Sequence, residues 1–253
     1  MYALCAFKDN YIWLFTDKAK KAAWIVDPGD AQPVINYLTQ NNLQLAGILI
    51  THHHWDHSDG IKELIERWKN IPVIGFEKSA ISSITKRVKE GDEILCGSLK
   101  LRVLHIPGHT LDHIAFYNDE VLFCGDTLFS AGCGRVFEGT YEEMYRSLMK
   151  LARLPHSIKI YCGHEYTLQN LYFAAQVEPE NEFIRAQIEK VKIVLKNGQP
   201  TLPSTLTDEK NMNPFLRCEV SEVRQAAEKH VGHVLSSEEE VFRALREWKN
   251  NFN

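Results

Sequence analysis

The seven residues from Thr51 to His57, which read T-H-H-H-W-D-H, constrain the fold of this chain more than any other part of its sequence. They follow directly on the apolar run 46–50, which predicts a buried strand. In an extended loop, residues two apart project to the same side. His52 and His54 can therefore approach one metal ion while the Asp-His pair at the end of the motif faces a second. The motif predicts a loop at a strand end that contributes ligands to two metal ions.

One loop cannot complete the coordination shells of two ions, so further ligands are expected elsewhere in the chain. His109, Asp126 and His164 each follow a strand-like run and come directly after a glycine. Glycine lets the backbone turn sharply at a strand end and pack closely beside an ion. Imidazole and carboxylate groups suit Zn²⁺, and they also accept Fe or Mn²⁺. We therefore expect two divalent metal ions per chain, with zinc as the first choice.

Simpler explanations apply to the single residues but not to the whole motif. An isolated Gly-Asp or Gly-His pair usually marks only a turn, and a lone histidine such as His105 or His113 is more often a hydrogen-bonded or surface residue. His53 is expected to point away from the metals. The motif at 51–57 differs because it combines two ligand types at a spacing that serves two ions and follows a buried strand.

Composition and charge exclude several classes of protein. The 253 residues are 44% apolar and 25% charged, which is ordinary globular usage, and the length allows one large domain or one with a smaller partner. A net charge of -4 argues against a nucleic-acid partner. No apolar run approaches the roughly 20 residues of a membrane span, and the first residues lack the layout of a signal peptide, so the cytoplasm is the expected location. The six scattered cysteines are interpreted as reduced thiols.

The secondary-structure pattern changes near residue 165. Before it, strand-like runs alternate with a few helical patterns, which predicts a layered α/β domain over 1–165. After it, helical spacing dominates, which predicts a helical substrate-binding domain over 166–253. The strands are expected at 11–15, 22–26, 45–50, 99–106 and 121–124. The helices are expected at 31–40, 61–69, 141–154, 168–176, 181–196, 219–230 and 238–249. Residues 197–213 hold Gly198, Pro200 and Pro203 and are predicted to form a long surface loop.

Taken together, the motifs resemble the metallo-β-lactamase superfamily and, within it, the hydroxyacylglutathione hydrolase (glyoxalase II) family. The resemblance covers the whole chain. The superfamily motifs are T-H-H-H-W-D-H at 51–57, P-G-H-T at 107–110, G-D-T at 125–127 and G-H-E at 163–165. The narrower family motifs are F-C-G-D-T-L-F at 123–129, G-C-G-R-V-F-E-G-T at 132–140 and G-H-E-Y-T at 163–167, together with the helical tail.

This resemblance implies a metallo-β-lactamase αββα sandwich with a C-terminal helical domain. It also implies a division of the metal ligands. One ion would be held by His52, His54 and His109, the other by Asp56, His57 and His164, with Asp126 bridging both. Asp56 and Asp126 would be the catalytic carboxylates, and Asp27 would lie behind the ligands, where a turn-forming role is the alternative.

The activity implied by the resemblance is hydrolysis of a glutathione thioester. The substrate would be S-D-lactoylglutathione or a related S-2-hydroxyacylglutathione, attacked by a hydroxide that bridges the two metals, in the second step of methylglyoxal detoxification. The carried-over glutathione contacts are Arg135, Phe137, Tyr166, Arg246 and Lys249. Phe137 stands where many relatives have a tyrosine, and phenylalanine cannot supply the hydroxyl. We expect a monomer with a small-molecule substrate and neither a nucleic-acid nor a membrane partner.

Other functions remain open at this stage. A persulfide dioxygenase with one iron would use the first site together with Asp126, and other hydrolases share the fold. A nuclease fits poorly because the chain is acidic overall. A non-catalytic metal-binding protein would show no turnover.

Overall fold

The structure is a computed structural model that describes residues 1–17 and 21–252. The chain divides into two compact units. The first unit consists of Met1–His105 and Asp112–Gly125, and the second of Ile106–Leu111 and Asp126–Asn253. These two units are defined by which residues pack together. The division at residue 165 was instead predicted from the change of secondary structure along the chain, and it stays a prediction.

The first unit contains a mixed six-stranded sheet in the order β1 to β6, in which β1 to β3 are antiparallel and β3 to β6 are parallel. Its strands are β1 (Tyr2–Ala6), β2 (Asn10–Asp17), β3 (Ala22–Val26), β4 (Gln44–Leu49), β5 (Val73–Phe76) and β6 (Lys86–Val88). Its helices are α1 (Ala31–Gln40), α2 (Trp55–Ser58) and α3 (Ile61–Arg67). Because β3 and β4 are parallel neighbours, Asp27 and the 51–57 motif follow strand ends at the same edge of the sheet.

An aliphatic core joins this sheet to its helices. The Asp30 side chain caps α1 by accepting from the Gln32 backbone N–H at 2.9 Å, which starts the helix so that Val34 and Leu38 face the sheet. Both residues belong to a buried cluster with Leu14, Ile25 and Ile48 among others. Burying an aliphatic side chain of this size contributes about 1.5 to 3 kcal/mol, so this core fixes the strand ends that carry the motif.

A second group of strands in the first unit is antiparallel in the order β7 to β10. These strands are β7 (Glu93–Cys96), β8 (Leu99–His105), β9 (Ile114–Tyr117) and β10 (Val121–Gly125). The two sheets contact each other through Phe15 of β2 and Phe123 of β10, whose rings stack with centroids 5.9 Å apart. The first unit is therefore built of two packed sheets with helices on the first.

The second unit combines a small hairpin, a strand pair and most of the helices. Its strands are β11 (Leu128–Phe129), β12 (Gly132–Cys133), β13 (Lys159–Cys162) and β14 (Ser204–Thr205). Its helices are α4 (Tyr141–Ala152), α5 (Thr167–Val177), α6 (Glu182–Lys196), α7 (Leu206–Met212), α8 (Ser221–Val231) and α9 (Glu238–Asn250), with a 3₁₀ turn at Pro214–Leu216. Strand β11 pairs with β12 and β13 with β14, both antiparallel.

Aromatic packing holds the C-terminal helices together. Phe215 lies between Phe173 of α5 and Phe242 of α9, with ring centroids 5.9 and 5.8 Å away, and all three rings are fully buried. The predicted helical tail is confirmed. The predicted surface loop over 197–213 is wrong in its second half, because residues there form β14 and α7 instead.

Two further expectations can be compared with the structure. Within the described part of the chain, no helix is both long and apolar enough to cross a bilayer. All six cysteines are free thiols, and only Cys5 is exposed.

Candidate functional site

Asp27 supports the T-H-H-H-W-D-H segment of the first unit through hydrogen bonds to its first residue. It follows β3 with a left-handed backbone (φ 53°), which aspartate tolerates better than most residues. One carboxylate oxygen accepts from the Thr51 backbone N–H at 2.8 Å, and the other accepts from the Thr51 hydroxyl at 2.6 Å. The carboxylate therefore fixes the first residue of the T-H-H-H-W-D-H motif.

These contacts decide which ring nitrogen of two histidines carries a proton. The single proton of the Thr51 hydroxyl goes to Asp27, so His52 Nδ1, 3.0 Å from the same hydroxyl oxygen, must donate to it. His57 Nδ1 lies 3.2 Å from Asp27 Oδ2 and donates likewise. In both rings Nε2 then carries the lone pair, which is the state a metal ligand requires. The two rings lie 4.3 Å apart between centroids.

Asp56 is oriented by a residue that sequence reasoning missed. The Asn10 side-chain amide donates to Asp56 Oδ2 at 3.0 Å and to the Asp56 backbone carbonyl at 3.2 Å. Asn10 is buried, and its partner lies 46 residues away in sequence. The same Asp56 Oδ2 lies 3.6 Å from His57 Nε2. No local pattern could have identified Asn10, which is the first residue of β2.

His54 and His53 have different surroundings. The His54 ring lies 4.8 Å from the His52 ring between centroids, at the start of α2. His53 Nδ1 instead lies 2.8 Å from Asp112 Oδ1. The structure thus gathers His52, His54, Asp56 and His57 in one segment, but Asp56 and His57 lie in the short helix α2 and not in the predicted extended loop. His53 has a carboxylate partner of its own.

The second unit gathers the other three predicted ligands around one carboxylate oxygen. Asp126 Oδ2 lies 3.5 Å from His109 Nε2 and 3.1 Å from His164 Nε2. His109 Nδ1 lies 2.8 Å from the Arg135 carbonyl oxygen, so it must donate to it and leave the lone pair on Nε2. All three residues are buried. One carboxylate oxygen thus lies within 3.5 Å of two imidazole nitrogens.

Gly134 makes the close packing at Asp126 possible. A Cβ atom at this position would lie 1.9 Å from the Asp126 carbonyl oxygen, which no side chain can tolerate. The Gly134 N–H donates to the Thr127 carbonyl at 3.2 Å. The second glycine of the G-C-G-R part of the family motif is therefore required for steric reasons, because no larger residue fits there.

The residues fit a metal by their chemistry. In the first unit, Asp27, His52 and His57 offer ligand atoms that all lie within 4.8 Å of one another. Three histidines have Nδ1 engaged by a hydroxyl, a carboxylate or a carbonyl oxygen, as metal-binding histidines usually do. Imidazole and carboxylate donors are those that Zn²⁺ and related divalent ions accept. The loop and the Asp126 cluster are thus His/Asp groups suited to metal binding.

Three cations of the second unit form a positively charged group. Burial lowers the pKa of Lys249 to about 8, and the neighbouring charges of Arg246 and Arg135 add to the shift. Lys249 Nζ lies 3.4 Å from the Gln169 carbonyl oxygen, and Arg135 is exposed. Arg246 is only 3% exposed, donates to the Cys133 carbonyl at 2.6 Å and lies over the Phe215 ring at 5.1 Å. Arg246 therefore holds β12 as well as contributing positive charge.

The two aromatic residues predicted to contact glutathione lie beside the candidate ligand histidines of the second unit. The Tyr166 ring stacks on His164 at 4.8 Å between centroids, with an interplanar angle of 2°. Phe137 is 62% exposed and meets His109 edge-on at 5.3 Å. An exposed phenylalanine at this position can offer apolar contact but no hydrogen bond.

The buried thiols are poor nucleophiles. Burial raises the pKa of Cys133 despite the opposing charge of Arg246, and burial also raises that of Cys162. Both thiols therefore stay protonated at neutral pH.

Comparison with known proteins assigns the chain to a family. The metallo-beta-lactamase superfamily model matches residues 8–164, and the model described as hydroxyacylglutathione hydrolase C-terminus matches residues 165–252. A hydroxyacylglutathione hydrolase from Idiomarina loihiensis is 51% identical over 251 residues, which cover 99% of each chain. One from Psychromonas ingrahamii is 48% identical over 250 residues, 98% of this chain and 97% of the relative.

A solved structure agrees with the fold. The crystal structure of ETHE1 from Myxococcus xanthus is similar with a TM-score of 0.68 and 26% sequence identity, covering 98% of this chain and 91% of that one. The chain thus has the metallo-β-lactamase fold followed by a C-terminal helical domain, as the sequence predicted. With relatives at about half identity along nearly its whole length, the chain belongs to the hydroxyacylglutathione hydrolase family of the metallo-β-lactamase superfamily.

Proposed function

We propose that the protein hydrolyses S-D-lactoylglutathione and related S-2-hydroxyacylglutathiones to glutathione and the free 2-hydroxy acid. The observation that carries this proposal is the set of buried histidines whose Nδ1 atoms are engaged, so that Nε2 holds the lone pair. The activity named for the relatives, along nearly the full length of the chain, supports the substrate class.

The proposed ligands of one ion are His52, His54 and His109, and those of the other are Asp56, His57 and His164. Asp126 would be shared, a role supported by its Oδ2 between the Nε2 atoms of two histidines. Zinc is the proposed metal. This division keeps the assignment that the family resemblance implies.

Bound divalent ions would supply Lewis acidity for the thioester carbonyl and would lower the pKa of a coordinated water toward about 7. The chain's own residues must then hold this arrangement and handle protons. Asp56, which Asn10 orients by a hydrogen bond, is the proposed acceptor of a proton from the attacking water. The water oxygen forms a bond to the carbonyl carbon, the carbon–sulfur bond breaks, and a proton returns to the leaving thiolate.

The cations of the second unit are the proposed recognition site for glutathione, which carries carboxylates. Lys249, Arg135 and Arg246 supply the positive charge, and Tyr166 supplies a ring and a hydroxyl. Phe137 gives this chain one hydrogen bond fewer than a tyrosine would. A lower affinity for the tripeptide is therefore proposed relative to family members with tyrosine at this position.

A direct test compares three substrates with the same purified protein. S-D-lactoylglutathione should be hydrolysed with release of free thiol, and a lactoyl thioester of a simple alkyl thiol should be hydrolysed with a much higher KM. Glutathione persulfide should produce no oxygen consumption. Oxygen uptake with the persulfide and no thioesterase activity would instead support the dioxygenase alternative. No turnover of any substrate by the metal-loaded protein would contradict the proposal.

A further inference from the structure

The hairpin of β11 and β12 has a turn that its own sequence does not favour. The turn residues are Ser130 and Ala131, and Ala131 adopts a left-handed backbone with φ 54°. This conformation is unfavourable for a residue with a Cβ atom, and glycine or asparagine would be the usual choice. Ala131 is fully buried. Contacts from outside the hairpin must therefore hold the turn in place.

Three buried polar side chains of the helical region supply those contacts. Asn170 of α5 donates to the Ser130 carbonyl at 3.0 Å. Glu209 of α7 accepts from the Ala131 backbone N–H at 2.8 Å. Asn213, which follows α7, donates to the Phe129 carbonyl at 3.2 Å and to the Gly132 carbonyl at 2.9 Å.

These residues also support one another. The Asn213 side-chain amide donates to Glu209 Oε2 at 3.0 Å, the same oxygen that accepts from Ala131. Asn170 packs so closely on Gly132 that a Cβ atom there would lie 2.5 Å from its amide nitrogen. Glu209 and Asn213 are 0% exposed and Asn170 is 5% exposed. We call Asn170, Glu209 and Asn213 the hairpin clamp.

The hairpin that the clamp holds is connected to all three proposed metal ligands of the second unit. Asp126 lies two residues before it, and Gly134, just after it, packs on the Asp126 carbonyl. Arg135 follows and fixes His109 through its carbonyl oxygen at 2.8 Å. The Phe129 ring touches His164 at 5.9 Å between centroids. A displaced turn would therefore alter the orientation of His109 and the position of the Arg135 cation together.

We infer that Asn170, Glu209 and Asn213 are positioning residues for the proposed hydrolysis, because they hold the hairpin that orients His109, Asp126 and Arg135. This inference rests on the proposed function. The polar character of the clamp supports it, since an apolar core would pack the hairpin without fixing its carbonyl groups in direction. Burial raises the pKa of Glu209 to about 7, and the titratable group that faces it from β13 is Cys162.

The test compares Glu209→Ala, Asn170→Ala and Glu209→Gln with the wild-type protein. Both alanine variants should lower kcat/KM for S-D-lactoylglutathione by roughly tenfold or more and weaken zinc binding by roughly tenfold, as loss of supporting contacts does at metal sites. Zinc binding is measured by competition with a chromophoric chelator. Glu209→Gln retains an acceptor for Ala131 and Asn213 and should stay within about threefold of the wild type in both quantities.

The matched control is Glu178→Gln. Glu178 is another buried carboxylate of the helical region, and it forms a bidentate ion pair with Arg217 at 2.7 and 2.9 Å. It makes no described contact with the hairpin. This variant should lower the midpoint of thermal unfolding while leaving kcat/KM and zinc affinity unchanged.

The inference is overturned if the alanine variants lose stability as Glu178→Gln does but keep kcat/KM and zinc affinity within twofold. It is also overturned if Glu209→Gln loses as much as Glu209→Ala, because hydrogen bonding to the hairpin would then not be the cause. If Glu209→Ala does not fold, Asn170→Ala decides the question. If the wild-type protein fails to hydrolyse the thioester, the proposed function fails, while zinc affinity still tests the clamp.

Discussion

Asp27 determines the proton positions of two histidines at once, which makes it the most influential supporting residue of the first unit. Its carboxylate accepts from Thr51 and faces His57 Nδ1, and through Thr51 it also sets the tautomer of His52. An amide at this position would present an N–H group to one of these partners. The protonation of His52 and His57 would then no longer be fixed for metal binding.

We expect Asp27→Asn to weaken zinc binding by roughly 10 to 100-fold, measured by chelator competition. Asp30→Asn is the matched control. Asp30 lies three residues after Asp27 and caps α1, and asparagine caps helices as well as aspartate does. An Asp27→Asn protein with the same zinc affinity as Asp30→Asn would contradict the tautomer argument.

Asp126 and His53 should respond very differently to alanine substitution. Asp126 Oδ2 lies between two histidine nitrogens, so Asp126→Ala should lower kcat by roughly a hundredfold or more and reduce the bound metal. His53 contacts Asp112, and His53→Ala should change kcat by less than roughly tenfold. Steady-state kinetics and elemental analysis of both variants check this. Retention of most metal and turnover in Asp126→Ala would show that the ligand assignment is wrong.

Because the pKa of Lys249 is lowered, we expect kcat/KM to depend on pH in a way that is specific to substrates with a glutathione part. Lysine binds carboxylates only as a cation, and its pKa of about 8 means that the cation is lost as the pH rises through that value. The ratio of kcat/KM for S-D-lactoylglutathione to that for a simple alkyl thioester should therefore fall between pH 7 and pH 9.5. In Lys249→Ala the ratio should be low and independent of pH. A wild-type ratio that does not change over this range would contradict the role of Lys249.

At the scale of elements, the amphipathic helices could be predicted from the sequence. Short helices and strands, whose formation depends on tertiary contacts, could not. Helical periodicity places α1, α4 and α9 within a few residues of their observed bounds. The stretch 197–213 contains α7, a short helix that the neighbouring prolines obscure. Its N-cap is Thr205, whose side chain accepts from the Asp208 N–H at 3.1 Å. Strands β5 and β6 have only four and three residues, too short for a clear alternation.

Helix α7 carries the buried Glu209, and this predicts how stability depends on pH. Its folded pKa of about 7 lies above the ordinary value of 4.5, so between these values the folded state holds a proton that the unfolded state has released. The contribution of Glu209 to the free energy of unfolding is therefore fully present below about pH 4.5 and is lost as the pH rises through 7. The loss amounts to up to roughly 3 kcal/mol.

We expect Glu209→Gln to become more stable relative to the wild type as the pH rises from 5 to 8, measured by urea unfolding at each pH. A constant difference between Glu209→Gln and the wild type would mean that Glu209 does not titrate in this range.

At the scale of the whole molecule, the sequence alone identifies candidate ligand residues but not the residues that support them. The candidate ligands follow strand ends and glycines. These are local sequence signals, and they are visible in the motifs T-H-H-H-W-D-H, G-D-T and G-H-E. Asn10 reaches Asp56 across 46 residues, and Glu209 reaches Ala131 across 78. Such partners are set by tertiary packing, and a single sequence holds no record of them. The family and the fold were predicted correctly because the ligand motifs themselves are specific.

The central claim is that two metal ions per chain sustain thioester hydrolysis, and a metal titration of the stripped protein tests it most directly. The protein is freed of metal with a chelator, and zinc is added back in fractions of one equivalent while hydrolysis of S-D-lactoylglutathione is recorded. We expect negligible activity without metal and a rise that ends at about two equivalents, because the seven proposed ligand residues would divide between two ions that share Asp126. Activity that reaches its maximum at one equivalent, or that survives complete removal of metal, would contradict the account.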